Sequence, residues 1–126
     1  MGTAQLKKGA VTAKKISASA RLSPVIYAHV QVDGTIDAAQ SKGIKQSMVH
    51  LRETSAYCFS GLPFKPKNGS VSIDYAHATE GDRELAELEV STGTAADCNS
   101  GEHIEVATSS DSHVFGQEPF YLVLYG

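Results

Sequence analysis

Residues 70–75 read Ser70-Val71-Ser72-Ile73-Asp74-Tyr75, and this stretch decides the fold class. Its polar and apolar residues alternate strictly, which is the pattern of a β-strand with one face in the core and the other in water. The alternation predicts that Val71, Ile73 and Tyr75 point inward. The pair Asn68-Gly69 is a strong turn signal, so we expect the strand to follow a tight turn.

Similar patterns extend outward along the chain in both directions. They predict strands at residues 27–32, 47–52, 56–59, 85–90, 104–106 and 120–125, with the second and third forming a hairpin. Asp33-Gly34 predicts a turn after the first of these strands. Pro63 and Pro66 exclude a central strand between them, because proline removes a ladder donor, so an edge or a crossover is expected there. Together these signals predict an all-β, antiparallel, jelly-roll-like β-sandwich.

The last predicted strand, residues 120–125, is apolar on both faces. Phe120, Leu122 and Leu124 form one face, and the other is formed by Tyr121, Val123 and Tyr125. One face of a sandwich strand normally meets water, so the second apolar face favours burial against another subunit. The alternative is a central strand covered by a loop of its own chain.

Length and charge narrow the class of protein. The 126 residues fit one domain, and no apolar run approaches the roughly 18 to 20 residues that span a bilayer. Five of the 11 Lys and Arg residues precede residue 23, and no acid occurs there. Residues 23–126 therefore contain the other six basic residues and all 14 acids, which gives them a net charge of −8. An acidic domain argues against a nucleic-acid surface, and we expect no nucleic-acid partner and no membrane insertion. Polar residues directly follow Met1-Gly2, so no signal peptide is expected in this sequence.

The two cysteines, Cys58 and Cys98, lie far apart in sequence. They do not form a CxxC pair, which makes a zinc or thioredoxin-type motif a poor interpretation. A disulfide is favoured, and in the chain-entropy model it would stabilise the fold by roughly 4 kcal/mol. Two buried free thiols in a cytosolic protein are the alternative.

Gly9-Ala10-Val11-Thr12-Ala13-Lys14-Lys15-Ile16 resembles the repeat G-(A/S)-V-T-x-x-K-(I/L) of the stalks of bacterial secreted fibre-like proteins and phage tail fibres. The rest of the chain is similar to an uncharacterised small all-β domain that follows such repeats in actinobacterial extracellular proteins. The segments that carry this likeness are residues 27–30, 33–35, 41–44, 57–59, 64–68, Cys98 and 120–123. The resemblance implies a stalk segment over residues 1–22 and a β-sandwich head over residues 23–126.

The same resemblance implies an extracellular homotrimer with a Cys58–Cys98 disulfide. Three stalk segments would pack Val11 and Ile16 about a common axis, and Tyr121, Val123 and Tyr125 would extend the interface. We expect a non-enzymatic head that binds a surface glycan or protein through its long polar loops, at residues 77–83, 92–101 and 109–117. The alternative is a purely structural domain that caps and registers the trimer.

Catalytic and metal motifs are absent from the sequence. It contains no GxSxG, HExxH, Walker or GxGxxG pattern, and a nucleophilic Cys58 is disfavoured by its possible disulfide partner. His103 with Glu105, and Glu87 with Glu89, share strand faces, but polar residues on the wet face of a strand explain both pairs. His29 and His50 are expected to be surface or interface residues. We therefore expect no catalytic residue, no metal and no cofactor.

Overall fold

A computed structural model describes residues 24–79, 84–109 and 116–126. Seven strands run through these ranges: β1 (Val25–Val30), β2 (Val49–Arg52), β3 (Ala56–Phe59), β4 (Asn68–Ile73), β5 (Leu85–Val90), β6 (Ile104–Ser109) and β7 (Phe120–Tyr125). The helical segments of these ranges are short 3₁₀ turns at Ala38–Gln40, Gln46–Met48 and Tyr75–His77. None of the described helices is long and apolar enough to cross a membrane.

The strands form two antiparallel sheets that pack as a sandwich, which confirms the predicted all-β class. The three-stranded sheet has the order β1-β7-β4, and the four-stranded sheet has the order β2-β3-β6-β5. The predicted hairpin is formed by β2 and β3. Apolar side chains from both sheets fill the space between them, and the fully buried ones include Val30, Tyr57, Phe59, Ile104, Val106, Phe120, Leu122 and Leu124.

β7 is the central strand of the three-stranded sheet. Phe120, Leu122 and Leu124 are fully buried in the core, as the alternation requires. Tyr121 and Tyr125 lie on the opposite, outer face and are 38% and 39% exposed. The second apolar face of this strand is therefore partly open to solvent.

Two sequence predictions around β4 are wrong. Asn68-Gly69 does not form a turn but begins the strand, opposite Tyr125 and Leu124 of β7. Tyr75 does not point inward: β4 ends at Ile73, the 3₁₀ turn breaks the alternation, and Tyr75 is 66% exposed.

Both ends of the described chain meet at one end of the three-stranded sheet. Val25 pairs with Tyr125, and the backbone N–H of Gly126 donates to the carbonyl of Pro24 at 2.9 Å. At the other end of the sheet, β1 stops at Val30 and the chain turns, with Gly34 at a φ of +91°, as Asp33-Gly34 predicted. The proline-containing segment between β3 and β4 crosses from one sheet to the other.

Candidate functional site

Four ionisable side chains meet at the end of the three-stranded sheet that lies away from Gly126. We call them the histidine cluster: His29, Asp37, Asp74 and His77. His29 is on β1, and Asp37 follows the turn after β1. Asp74 and His77 belong to the 3₁₀ turn that follows β4. Because β1 and β4 flank the same strand, the sheet brings these separate segments together.

A chain of short contacts joins the histidine cluster. His29 Nε2 lies 2.7 Å from Asp74 Oδ2, and His29 Nδ1 lies 3.1 Å from Asp37 Oδ2. His77 Nδ1 lies 2.8 Å from the same Asp74 Oδ2. His29 is 5% exposed and Asp74 2%, so of the two expected positions for His29, surface or interface, the surface one is wrong. The side chain of His77 is 72% exposed.

Neighbouring groups fix the orientation of the His29 ring. The ring stacks on Tyr121 of β7, with ring centroids 4.5 Å apart and an angle of 17° between the planes. Asp37 is held in turn, because its backbone N–H donates to the carbonyl of His29 and its Oδ1 accepts from the N–H of Ala39. The Asp74 N–H donates to the carbonyl of Pro119 at 2.9 Å, which ties this carboxylate to the start of β7.

The cluster concentrates opposite charges in a buried place. Burial disfavours the His29 imidazolium, but hydrogen bonds to Asp37 and Asp74 and their negative charges outweigh it and raise the pKa of His29. Burial likewise disfavours the Asp74 carboxylate, yet hydrogen bonds from His29 and His77 lower the pKa of Asp74. In the protein alone, the arrangement therefore favours a charged His29 between two carboxylates.

A polar cavity of about 380 Å³ adjoins the cluster. Besides the four cluster residues, its lining consists of Gln31, Val32, Gln40 and Pro119. The donor atoms of His29, Asp74 and His77 all lie within 4.8 Å of one another. Two imidazoles and a carboxylate at this spacing are a set of ligands that transition metals accept.

A second group of buried acids has a structural role on the four-stranded sheet. The Cys58–Cys98 disulfide, with Cα atoms 5.8 Å apart, ties the loop of residues 92–101 to β3, which confirms the predicted bond. Two carboxylates also accept hydrogen bonds from this loop. The backbone N–H of Asp97 donates to Glu105 at 2.9 Å, and that of Asn99 donates to Glu102 at 2.6 Å. The loop is therefore anchored by a covalent bond and by buried acceptors.

Side chains of the two candidate metal pairs, His103 with Glu105 and Glu87 with Glu89, contact the loop of residues 92–101 instead. β5 and β6 are neighbours, and Glu89 lies opposite Glu105. However, Glu89 accepts the N–H of Ala96, and His103 contacts the carbonyl of Gly93. Cys58, Cys98 and Glu102 also lie close together, but sulfurs bonded to each other are not thiolate ligands. His50 pairs with Glu102 and is partly exposed.

The structure describes only some of the residues that were predicted to form the oligomer interface. Tyr121, Val123 and Tyr125 lie on the outer face of the three-stranded sheet, beside Val25 and Tyr27 of β1. We call these five residues the tyrosine face. Val11 and Ile16 lie outside the described residues, as do residues 80–83 and 110–115 of the predicted binding loops.

Two of the predicted binding loops border the cavity. His77 lines it directly, and Gln117 Nε2 donates to the carbonyl of Val32, another lining residue, at 3.2 Å. Thr79 joins the two loops, because its N–H and its hydroxyl both donate to the buried Glu118 carboxylate at 2.8 Å. The loop of residues 92–101 packs instead on the four-stranded sheet.

The histidine cluster has no local signal in the sequence. His29 and Asp74 are 45 positions apart, and each occurs in an ordinary strand pattern. The polar–apolar alternation continues through Asp74 to Tyr75, so it does not show that β4 ends at Ile73. The chain matches no protein-family model, no curated protein and no solved structure.

Proposed function

We propose that this domain is the non-enzymatic head of an extracellular trimeric fibre, which binds a glycan or a protein on a surface. The observation that carries the proposal is the tyrosine face. Tyr27, Tyr121 and Tyr125 are each about 40% exposed on two paired strands, together with Val25 and Val123. A contiguous apolar face on the outside of a sheet is typical of an interaction surface.

Self-association is the use of this face that we favour. Tyrosine is enriched in protein interfaces, where its ring packs and its hydroxyl keeps a polar partner. The sequence of residues 9–16 resembles a stalk repeat of trimeric fibres and supports three as the number of chains. The disulfide is compatible with a location outside the cell.

The solution mass tests the assembly. We expect the full 126-residue chain to have the mass of three chains by light scattering. Val123→Glu, at the centre of the tyrosine face, should shift the mass toward one chain, because a carboxylate in an apolar interface is costly to desolvate. Tyr75→Glu is the matched control, since Tyr75 is an exposed tyrosine in the turn after β4, outside the two strands that carry this face. A wild-type monomer would contradict the trimer.

Ligand binding is proposed at the cavity, where two of the polar loops meet. Three copies of a weak site would act together on a surface that carries many ligands. The test is binding of the wild-type chain to immobilised glycans and to cell-surface protein, with Gln40→Ala as the variant of the cavity lining. A trimer that retains no ligand in either assay would favour the structural capping function instead.

A further inference from the structure

We propose that the histidine cluster is a binding site for a divalent transition metal such as Zn²⁺. The ligands are His29 Nε2, Asp74 Oδ2 and His77 Nδ1, and Asp37 is a positioning residue. These residues also line the proposed ligand cavity, but ligand binding there does not require a metal, so a metal titration tests this proposal separately.

The types and spacing of the donor atoms carry the proposal. Zn²⁺ binds imidazole nitrogen and carboxylate oxygen, and sites with three protein ligands leave a fourth position for water or another ligand. Here three such donors converge from β1 and from the turn after β4. The polar cavity of about 380 Å³ beside them has room for the fourth ligand.

Asp37 supplies the second argument. Histidines that bind metals almost always give their other ring N–H to a carboxylate or a carbonyl, which fixes the tautomer. His29 Nδ1 lies 3.1 Å from Asp37 Oδ2, so a proton on Nδ1 leaves the Nε2 lone pair for the metal. The stacking of His29 on Tyr121 holds the ring in that direction.

The local charge also suits a divalent cation. Asp37 and Asp74 together carry two negative charges, and the described lining of the cavity contains no lysine or arginine. Binding of the ion to His29 displaces the proton on Nε2, and with both histidines then neutral a divalent ion would balance both carboxylates.

Only a small adjustment is needed to admit the ion. The donor atoms of a tetrahedral zinc site with bonds of about 2.0 to 2.1 Å lie about 3.3 Å apart. Asp74 Oδ2 is 2.7 Å from His29 Nε2 and 2.8 Å from His77 Nδ1, so each separation must grow by about 0.5 Å. His77 is an exposed side chain that lines the cavity, so it is free to lengthen its own separation from Asp74. A rotation of the Asp74 carboxylate must lengthen the separation from His29.

The test is a titration of the full chain, without an affinity tag, with Zn²⁺ at pH 7.5 by calorimetry. We expect one saturable site per chain. We also expect Co²⁺ to give the intense visible absorption of a tetrahedral complex. His77→Ala should weaken Zn²⁺ binding at least tenfold, and it is safe for the fold because the side chain is exposed. Asp37→Asn should weaken it by roughly 10- to 100-fold while the shape of the Co²⁺ spectrum is kept, as expected for a positioning residue.

His103→Ala is the matched control, because His103 lies on the other sheet next to β6 and is not part of the cluster. Its affinity for Zn²⁺ should equal that of the wild type. The absence of saturable binding would overturn the proposal and leave the cluster as a hydrogen-bonded charge network. Wild-type affinity in His77→Ala would overturn it as well, since the bound metal would then lie elsewhere.

Discussion

At position 69 the sandwich has no room for a side chain. A Cβ there would lie 2.6 Å from the carbonyl oxygen of Val123 and 3.1 Å from Leu88 Cδ2 of the facing sheet. Gly69 has no positive φ in this strand, so its role is close approach and not a turn. This explains why the Asn-Gly signal was misleading. Glycine is needed both where a turn requires a positive φ and where two backbones approach closely, and Gly69 is the second case.

We therefore expect Gly69→Ala to lower the free energy of unfolding by about 2 kcal/mol, because a backbone oxygen cannot move aside as a flexible side chain can. Urea denaturation measures this change. Gly93→Ala is the matched control, since a Cβ at Gly93 meets nothing within 4 Å, and it should change stability by less than about 0.5 kcal/mol. Equal effects of the two variants would contradict the steric explanation.

Glu105 is a second residue whose surroundings predict a measurable effect. Burial raises the pKa of this carboxyl above its usual value near 4.5, although the N–H of Asp97 partly stabilises the charge. Between the usual and the raised pKa the folded protein binds more protons than the unfolded chain. Stability must therefore fall as pH rises through that window.

Glu105→Gln removes this contribution, so the variant should gain stability relative to the wild type as pH rises above about 4.5. Chemical denaturation at a series of pH values gives the difference. Glu87→Gln, at an exposed position of β5, is the control for the loss of one negative charge. Its effect on the free energy of unfolding at each pH is subtracted from that of Glu105→Gln. A constant difference across the series would contradict the assignment.

At the scale of elements, the disulfide holds an irregular segment over a sheet. The loop of residues 92–101 is polar and has little apolar surface of its own to bury. Its attachment depends on the bond to β3 and on the carboxylates that accept its N–H groups. Both kinds of anchor lie on the outer face of the four-stranded sheet.

Replacing both cysteines by alanine should lower the free energy of unfolding by about 4 kcal/mol, because the bond closes a chain segment with a sequence separation of 40. Denaturation measures the loss. Hydrogen exchange should show faster exchange first in residues 92–101, with β1 and β7 little affected. Uniformly faster exchange would show instead that the bond supports the whole sandwich.

Strands were predictable from sequence because alternation is a local property. Residues 85–90 were placed correctly because Ala86, Leu88 and Val90 fall on one strand face, and residues 120–125 because they form a short apolar run rich in aromatic residues. The histidine cluster was not predictable, because it depends on strand order. His29 on β1 contacts Asp74 after β4 across the intervening strand β7. The contact depends on this strand order and on the stacking of the His29 ring on Tyr121 of β7.

At the scale of the whole molecule, the proposed trimer has two possible sources of contact. One is the segment of residues 1–22, and the other is the tyrosine face on the described sheet. We expect residues 23–126 alone to associate still, because the tyrosine face is retained, but only at a higher protein concentration than the full chain needs. Sedimentation over a concentration series measures this. A monomer at all concentrations would assign the contact to residues 1–22.

The pairing of β1 with β7 also gives the head a direction. Pro24 and Gly126 are hydrogen-bonded neighbours at one end of the sheet, whereas His29 lies five residues beyond Pro24, about 17 Å away along β1. Whatever is joined to the chain before Pro24 or after Gly126 is therefore attached on the side opposite the cavity. A head tethered to a bead or a sensor chip through either point would present the cavity outward, unobstructed by its own support.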